Sequence, residues 1–279
     1  MSGSAKGETS ARHTLSFCSI SALDRPLARA AAAARGAGCE GLEVTARPPH
    51  LDPEAGVDAA REAGRVVRGE GLALVAYGSY LGRFGNVSLA VARREVALAA
   101  TMETPLLRVW AEPQDGPDGG FDAVVSLLRE AADAAAGEGI TLVVERHAGS
   151  HADSPARIER LFAAVDRPNV ALNYQVLDFL PAEDASAQAE DAALLAPAAR
   201  YFHLKNYRPN PEPRGRLLPG GSLADGVLDY RGILRSALAG GYSGPLTIEF
   251  LSMDPRPLEE KLAADVAFVR SALQEIVGE

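Results

Sequence analysis

The sequence predicts an α/β fold, a single-domain (β/α)8 barrel, and three observations carry that prediction. Short aliphatic runs alternate strictly with Ala-rich amphipathic stretches, eight of each, within 279 residues. Such alternation argues a parallel sheet with crossover helices, and eight units in this length suit a closed barrel. An open doubly wound sheet usually has fewer units and a Gly-rich first turn, and no GxGxxG follows the first strand here.

Strands are expected over 14–20, 41–45, 72–77, 106–110, 141–145, 170–174, 201–205 and 246–250, and helices over 26–37, 53–69, 87–100, 121–136, 155–165, 187–199, 230–239 and 257–276. Asp24 stands where it can cap the first helix, with Pro26 in the first turn, and Ser154-Pro155 does the same for the fifth. In RGAGCEGLEV and AGEGITLVVE a helix ends on Gly and feeds a strand. Residues 1–13 are polar, lack the apolar core of a signal peptide and read as a flexible tail, leaving 14–279 as the barrel domain. The one long irregular stretch, 207–227 (YRPNPEPRGRLLPGGSLADGV), follows strand seven. Barrel enzymes work on that face, so the segment is expected to be a mobile lid over the mouth.

The formal charge of −9 and the absence of a basic run argue against a nucleic-acid partner, because phosphate contact needs clustered Lys and Arg. No apolar run approaches the ~20 residues of a membrane span. Cys18 and Cys39 cannot build a disulfide framework; they read as buried small hydrophobes in a cytoplasmic protein. Assembly into a homo-oligomer is left open.

The chemistry lies in polar residues at the C-terminal ends of strands. A barrel strand is buried on both faces, so a polar group there costs free energy unless it is paired or used. Glu145 ends strand five in LVVERH, Gln175 follows strand six in ALNYQVLD, His203 lies in strand seven in YFHLKN, and Glu249 ends strand eight in LTIEFL. Strands five to eight are neighbours in a closed barrel, so these ends converge. One such Glu is ordinarily a loop salt bridge; four polar residues on four successive strands point to a site. Two carboxylates, an imidazole and an amide oxygen suit a hard divalent metal, Mn²⁺, Mg²⁺ or Co²⁺. Glu43, ending strand two, and Arg108, inside strand four, are placed to pair across the barrel.

The segments GITLVVERHAGSHADSP, RPNVALNYQVLDF, YFHLKN and GYSGPLTIEF, with AAARGAGCEGLEV earlier, resemble the xylose isomerase-like sugar-phosphate isomerase/epimerase barrels over about 14–276. The resemblance implies that a Glu, an Asp, a His and a Glu from strands five to eight hold one divalent metal. Glu145, His203 and Glu249 match three of these. The Asp falls on Gln175, and a His often found three residues later falls on Asp178. A neutral Gln oxygen binds a hard cation more weakly than a carboxylate; either Asp178 restores the charge nearby or the chain has left metal chemistry. The resemblance also makes His147, His151, Asp178, Lys205 with Asn206, Arg208, Trp110 and Glu43 candidates for substrate contact, with a solvated loop His, a lid salt bridge or core packing as the plainer alternatives.

The activity so implied is isomerisation or epimerisation of a sugar or sugar-like polyol. A metal would chelate a carbonyl and the adjacent hydroxyl, and Glu145 and Glu249 would exchange a proton with the neighbouring carbon through an ene-diolate. Lyase chemistry (dehydration or C-glycoside cleavage) shares the first step. A sugar-binding barrel that lost its chemistry at Gln175 is the non-enzymatic alternative.

Overall fold

The computed structural model describes residues 13–112, 120–177, 182–211, 216–249 and 255–278. The strands are β1 (Leu15–Cys18), β2 (Gly41–Thr45), β3 (Ala73–Gly78), β4 (Leu106–Val109), β5 (Thr141–Glu145), β6 (Val170–Tyr174), β7 (Ala199–Leu204), β8 (Asn206–Arg208), β9 (Leu218–Gly221) and β10 (Leu246–Ile248). All except β8 and β9 close into one parallel barrel in chain order, with β10 beside β1 and Leu15 opposite Leu246. The helices are α1 (Leu27–Ala37), α2 (Gly56–Gly69), α3 (Leu89–Met102), α4 (Phe121–Ala136), α5 (Pro155–Val165), α6 (Gln188–Leu195), α7 (Tyr230–Ala239) and α8 (Leu258–Gly278).

Strand periodicity divides the interior into two cores. Leu107, Val109, Leu142, Val144, Leu172, Phe202, Leu204, Leu246 and Ile248 pack outward with the helices. The alternate residues Leu106, Val143, Ala171 and Tyr201, with Val75 and Ala76, form a separate small cluster inside the barrel. Side chains alternate between faces along a strand. Two residues beyond this inner cluster, the same face therefore presents Arg108, Glu145, Asn173 and His203. By the same alternation β1, β2, β3 and the end of β10 present Cys18, Glu43, Gly78 and Glu249. An apolar plug thus lies beneath a polar layer at the C-terminal mouth.

Several local expectations change. His13 is docked: its Nδ1 lies 2.9 Å from the Gly244 carbonyl and its ring stacks on Tyr242, so the ordered barrel includes residue 13. Residues 1–12 lie outside the described ones. Pro26, not Asp24, is the N-cap of α1, and Asp24 pairs instead with Arg25 at 3.1 Å. Ser154 is the N-cap of α5 with Pro155 in the first turn, but no side-chain cap bond forms. The expected helix 53–69 opens as a 3-10 turn, Pro53–Ala55, before α2. The helix expected over 187–199 is α6 between 3-10 turns at Ala182–Ala187 and Ala196–Ala198, since Pro197 cannot donate within a continuing helix.

The stretch 207–227 is not one irregular loop. β8 and β9 pair antiparallel, with Arg208 opposite Leu218, and the return is pinned by a Leu223 N–H donated to Asp265 Oδ1 of α8 at 2.9 Å. Both cysteines are buried and free. Among the described residues no helix is long and apolar enough to cross a membrane.

Candidate active site

The polar layer is a connected network. Arg108, 2% exposed, reaches across the barrel: its Nε donates to Glu43 Oε1 at 2.8 Å and its Nη1 donates to Glu145 Oε2. The pairing expected between Glu43 and Arg108 is therefore made, and Glu145 joins it. Glu43 Oε2 also accepts the Tyr201 hydroxyl at 2.8 Å and faces His203 Nε2 at 2.6 Å. On its other side His203 Nδ1 stands 3.3 Å from Asn173 Nδ2 and 3.5 Å from Glu249 Oε2. The same Glu249 oxygen is 3.5 Å from Lys205 Nζ. Gln175 Nε2 donates to Glu145 Oε1 at 2.9 Å and to the Arg146 carbonyl at 2.7 Å.

Local sequence explains why these side chains hold still. Gly78 is the β3 contribution to the layer, and a Cβ there would overlap Glu43 Oε1 and come within 2.6 Å of Arg108 Nη2. The glycine makes room for the ion pair. The Lys205 backbone N–H donates to the Tyr230 hydroxyl at 2.8 Å, tying the end of β7 to the first residue of α7. Ser79 donates to the Arg108 carbonyl at 2.6 Å, and Trp110 Nε1 donates to the Ser79 carbonyl at 2.9 Å.

Electrostatics follow from burial among opposite charges. Burial pushes the Glu43 carboxyl up, but His203 and Arg108 outweigh it and bring it down to about 2. Burial works against the charged His203 ring, yet Glu43 and Glu249 raise it to about 10. Burial likewise opposes ionisation of Glu249, and His203 with Lys205 prevails, holding it well below the usual carboxylate range. His203 is thus an imidazolium at neutral pH and both its nitrogens donate. Asn173 Oδ1 is buried with no partner.

The expected site residues sort as follows. Glu145, Gln175, His203 and Glu249 all belong to the network, with Glu43 and Lys205. Trp110 is buried beside it, 5.2 Å from the Arg108 guanidinium over its ring and 5.2 Å from the His147 ring set edge-on. His151 lies against Phe121 of α4, ring centroids 5.3 Å apart. Arg208 is exposed on β8. Asn206 does not reach toward a sugar: its Nδ2 donates to the Leu223 and Leu228 carbonyls and its Oδ1 accepts from the Tyr207 and Leu228 amides. Asp178 lies outside the described residues. Sequence reasoning passed over Asn173, Tyr201 and Arg146. The first two follow from counting every second residue along β6 and β7. Arg146, fully buried and paired with Asp191 of α6, carried no such signal.

A divalent cation fits this donor set poorly. Among the described residues, one trio of His, Cys and acidic side chains has ligand atoms within 4.8 Å of one another: Cys18, Glu43 and His203. Both Glu43 oxygens already accept hydrogen bonds. Burial and the charges of Glu43 and Glu249 push the Cys18 thiol well up, away from the thiolate that binds metals. Glu145, His203 and Glu249 do not form such a cluster among the described residues: Glu145 is held by Arg108 and the Gln175 amide, while His203 faces Glu249 at 3.5 Å with Lys205 beside it. Gln175 turns its nitrogen, not its oxygen, to Glu145, because a carboxylate and a carbonyl both require a donor there.

Solved structures share the fold. A D-allulose 3-epimerase from Methylomonas sp. superposes with a TM-score of 0.73 at 16% identity, over 94% of this chain and 99% of its own. A xylose isomerase-like TIM barrel protein from Mycobacterium smegmatis in complex with magnesium gives 0.66 at 22%, over 91% and 90%. The probable 3-DHS dehydratase AsbF from Bacillus anthracis gives 0.68 at 18%, over 92% and 98%. No curated protein matches the chain in sequence. Residues 31–272 match the family described as the xylose isomerase-like TIM barrel, and the chain belongs to that family.

Proposed function

We propose that this barrel is an enzyme that isomerises or epimerises a sugar or sugar-like polyol by moving a proton at the carbon next to a carbonyl. The carrying observation is the pair Glu145 and Glu249, from β5 and the end of β10, held in one cation-rich network at the mouth. One carboxylate, ionised, removes the proton and keeps it; in epimerisation the other enters the cycle as the protonated acid and delivers its own proton to the opposite face of the carbon. Arg108, Lys205 and His203 lie where they can stabilise the negative charge of an ene-diolate. Delivery to the opposite face of the same carbon epimerises; return to the neighbouring carbon, with a proton passing between the two oxygens, isomerises. His147, Trp110 and Glu43, in or beside the network, with Lys205, His151, Asp178 and Arg208, are the proposed substrate contacts. The substrate is a small carbohydrate.

Two further readings rest on specific likenesses. The AsbF likeness favours a lyase, in which a leaving group β to the carbonyl departs after the same abstraction. The magnesium complex of the Mycobacterium smegmatis protein favours a resident Mg²⁺, Mn²⁺ or Co²⁺; the donor set described above weighs against it.

The test is solvent-deuterium exchange into a panel of ketoses, aldoses and cyclitols, read by NMR at the carbon next to the carbonyl. The protein should catalyse exchange on a member of the panel, and Glu145→Gln and Glu249→Gln should each reduce it by about 10²–10⁴-fold, the usual contribution of a general acid–base group. Exchange that persists in both variants overturns the assignment of the bases, and no exchange on any member overturns the reading.

A further inference from the structure

We infer that Arg108 is the built-in central cation of this site, and that the barrel holds no divalent metal among Glu145, Gln175, His203 and Glu249. The inference rests on the sugar isomerase/epimerase reading for its reaction but not for its test.

Three observations carry it. The first is where Arg108 sits. It is buried on the inner face of β4, with Nε on Glu43 and Nη1 on Glu145, so one guanidinium bridges two carboxylates from β2 and β5. Its planar fork with several donors suits two acceptors at once, which a lysine could not match. The fold makes room for it: only a residue without a Cβ at Gly78 leaves space for the Glu43–Arg108 pair. A cation accommodated by a glycine on the neighbouring strand is a feature of the architecture.

The second is the state of the ligand atoms. Both Glu145 oxygens already accept hydrogen bonds, one from Arg108 and one from Gln175. His203 presents Nε2 to Glu43 and Nδ1 to Asn173 and Glu249. Glu249 faces Lys205. A metal entering here would have to displace Arg108 from Glu145 and leave a guanidinium buried beside a dication, which is strongly unfavourable unless that charge is re-paired.

The third is charge. The carboxylates of Glu43 and Glu145 share the Arg108 guanidinium and Glu249 faces Lys205 Nζ at 3.5 Å, so each already has a side-chain cation where a dication would have to bind. Gln175 agrees with this. An Asp there would place a fourth carboxylate beside Glu145, whereas the amide donates to Glu145 instead. Arg108 cannot lose its charge at any working pH, so it supplies permanently the positive field that a bound metal would otherwise provide to the ene-diolate.

The test has two parts that do not depend on turnover. Full-length protein purified without chelator should contain substoichiometric Mn, Mg, Co and Zn by elemental analysis. Titration with Mn²⁺ followed by electron paramagnetic resonance should show no saturable site at millimolar metal. The double variant Arg108→Gln/Gln175→Asp, which removes the cation and adds a carboxylate, should gain Mn²⁺ affinity by about 10–100-fold, the range over which partners of metal ligands act. If the double variant fails to fold, Gln175→Asp alone should still bind no Mn²⁺, since Arg108 remains. In the exchange assay, EDTA should leave the wild-type rate unchanged. One equivalent of tightly held metal in the wild type, or exchange that EDTA removes and Mn²⁺ restores, overturns the inference while leaving the isomerase reading intact. Absence of exchange with every sugar would end that reading, and the metal titration would still decide the role of Arg108.

Discussion

Gly78 shows how one missing atom sets a site. β3 could carry any small residue on its inner face for packing alone. Its C-terminal position is glycine because Glu43 and Arg108 occupy the space a methyl group would need. Gly78→Ala should therefore push apart a buried pair that cannot relocate into water. The expected loss is about 1–3 kcal/mol, the usual cost of overpacking a well-filled interior, measured by urea denaturation. Gly69 at the end of α2 is the control: a Cβ there meets nothing within 4 Å. Gly69→Ala should be neutral or gain about 0.4–1 kcal/mol through the unfolded chain. An equal loss in both variants would show that the Gly78 effect does not come from the ion pair.

At the scale of an element, the segment after β7 is organised by one side chain. Asn206 uses its amide on four backbone groups, joining the start of β8 to Leu223 and Leu228 before α7. Gly226 is required beside it, since a Cβ there would overlap the Asn206 side chain. Removing the amide leaves buried carbonyls and N–H groups without partners, each costing about 1–3 kcal/mol where water cannot enter. Asn206→Ala should speed hydrogen exchange at Tyr207 and Leu228 sharply while leaving β5 and β6 unchanged, as a local opening would. Unaltered exchange at those two amides would show that the ribbon, rather than Asn206, holds the segment. Within 207–227 the described residues form the β8–β9 ribbon and a tie to Asp265, where the sequence suggested one irregular loop; residues 212–215 lie outside the described ones.

Across the whole molecule, the buried network makes stability depend on pH in a defined direction. The His203 ring titrates at 6.5 when free and at about 10 in the fold. Its contribution is complete below pH 6.5 and is lost as pH rises toward 10. The Glu43 carboxyl moves the other way, from 4.5 to about 2, so its contribution is complete above pH 4.5 and is lost as pH falls toward 2. Thermal unfolding should therefore occur at the highest temperature between about pH 4.5 and 6.5 and fall on the alkaline side. The cysteine thiols, raised by burial from 9.0, add to the fall only above that value. The decline from pH 6.5 to 9 should consequently flatten in His203→Gln, measured by calorimetry. A decline of the same slope in that variant would assign it to other groups.

The order of eight strands and eight helices could be read from the sequence because each element answers to a local rule: period two on a strand, an apolar face on a helix, glycine at a helix end. Closure of the sheet followed from the number of units. Glu145, His203 and Glu249 could be read because a polar residue inside a doubly buried strand stands out against its neighbours. What each one touches could not be read in the same way. Arg108 bridges residues 65 and 37 positions away, and His203 meets Glu43 at a separation of 160; no local pattern encodes a contact over such distances. Gln175 is the sharpest case. The sequence fixes it as an amide with an oxygen and a nitrogen to offer. Only the tertiary structure, by placing a carboxylate and a carbonyl together in front of it, decides that the nitrogen faces Glu145, because two acceptors in a buried site can be satisfied only by a donor.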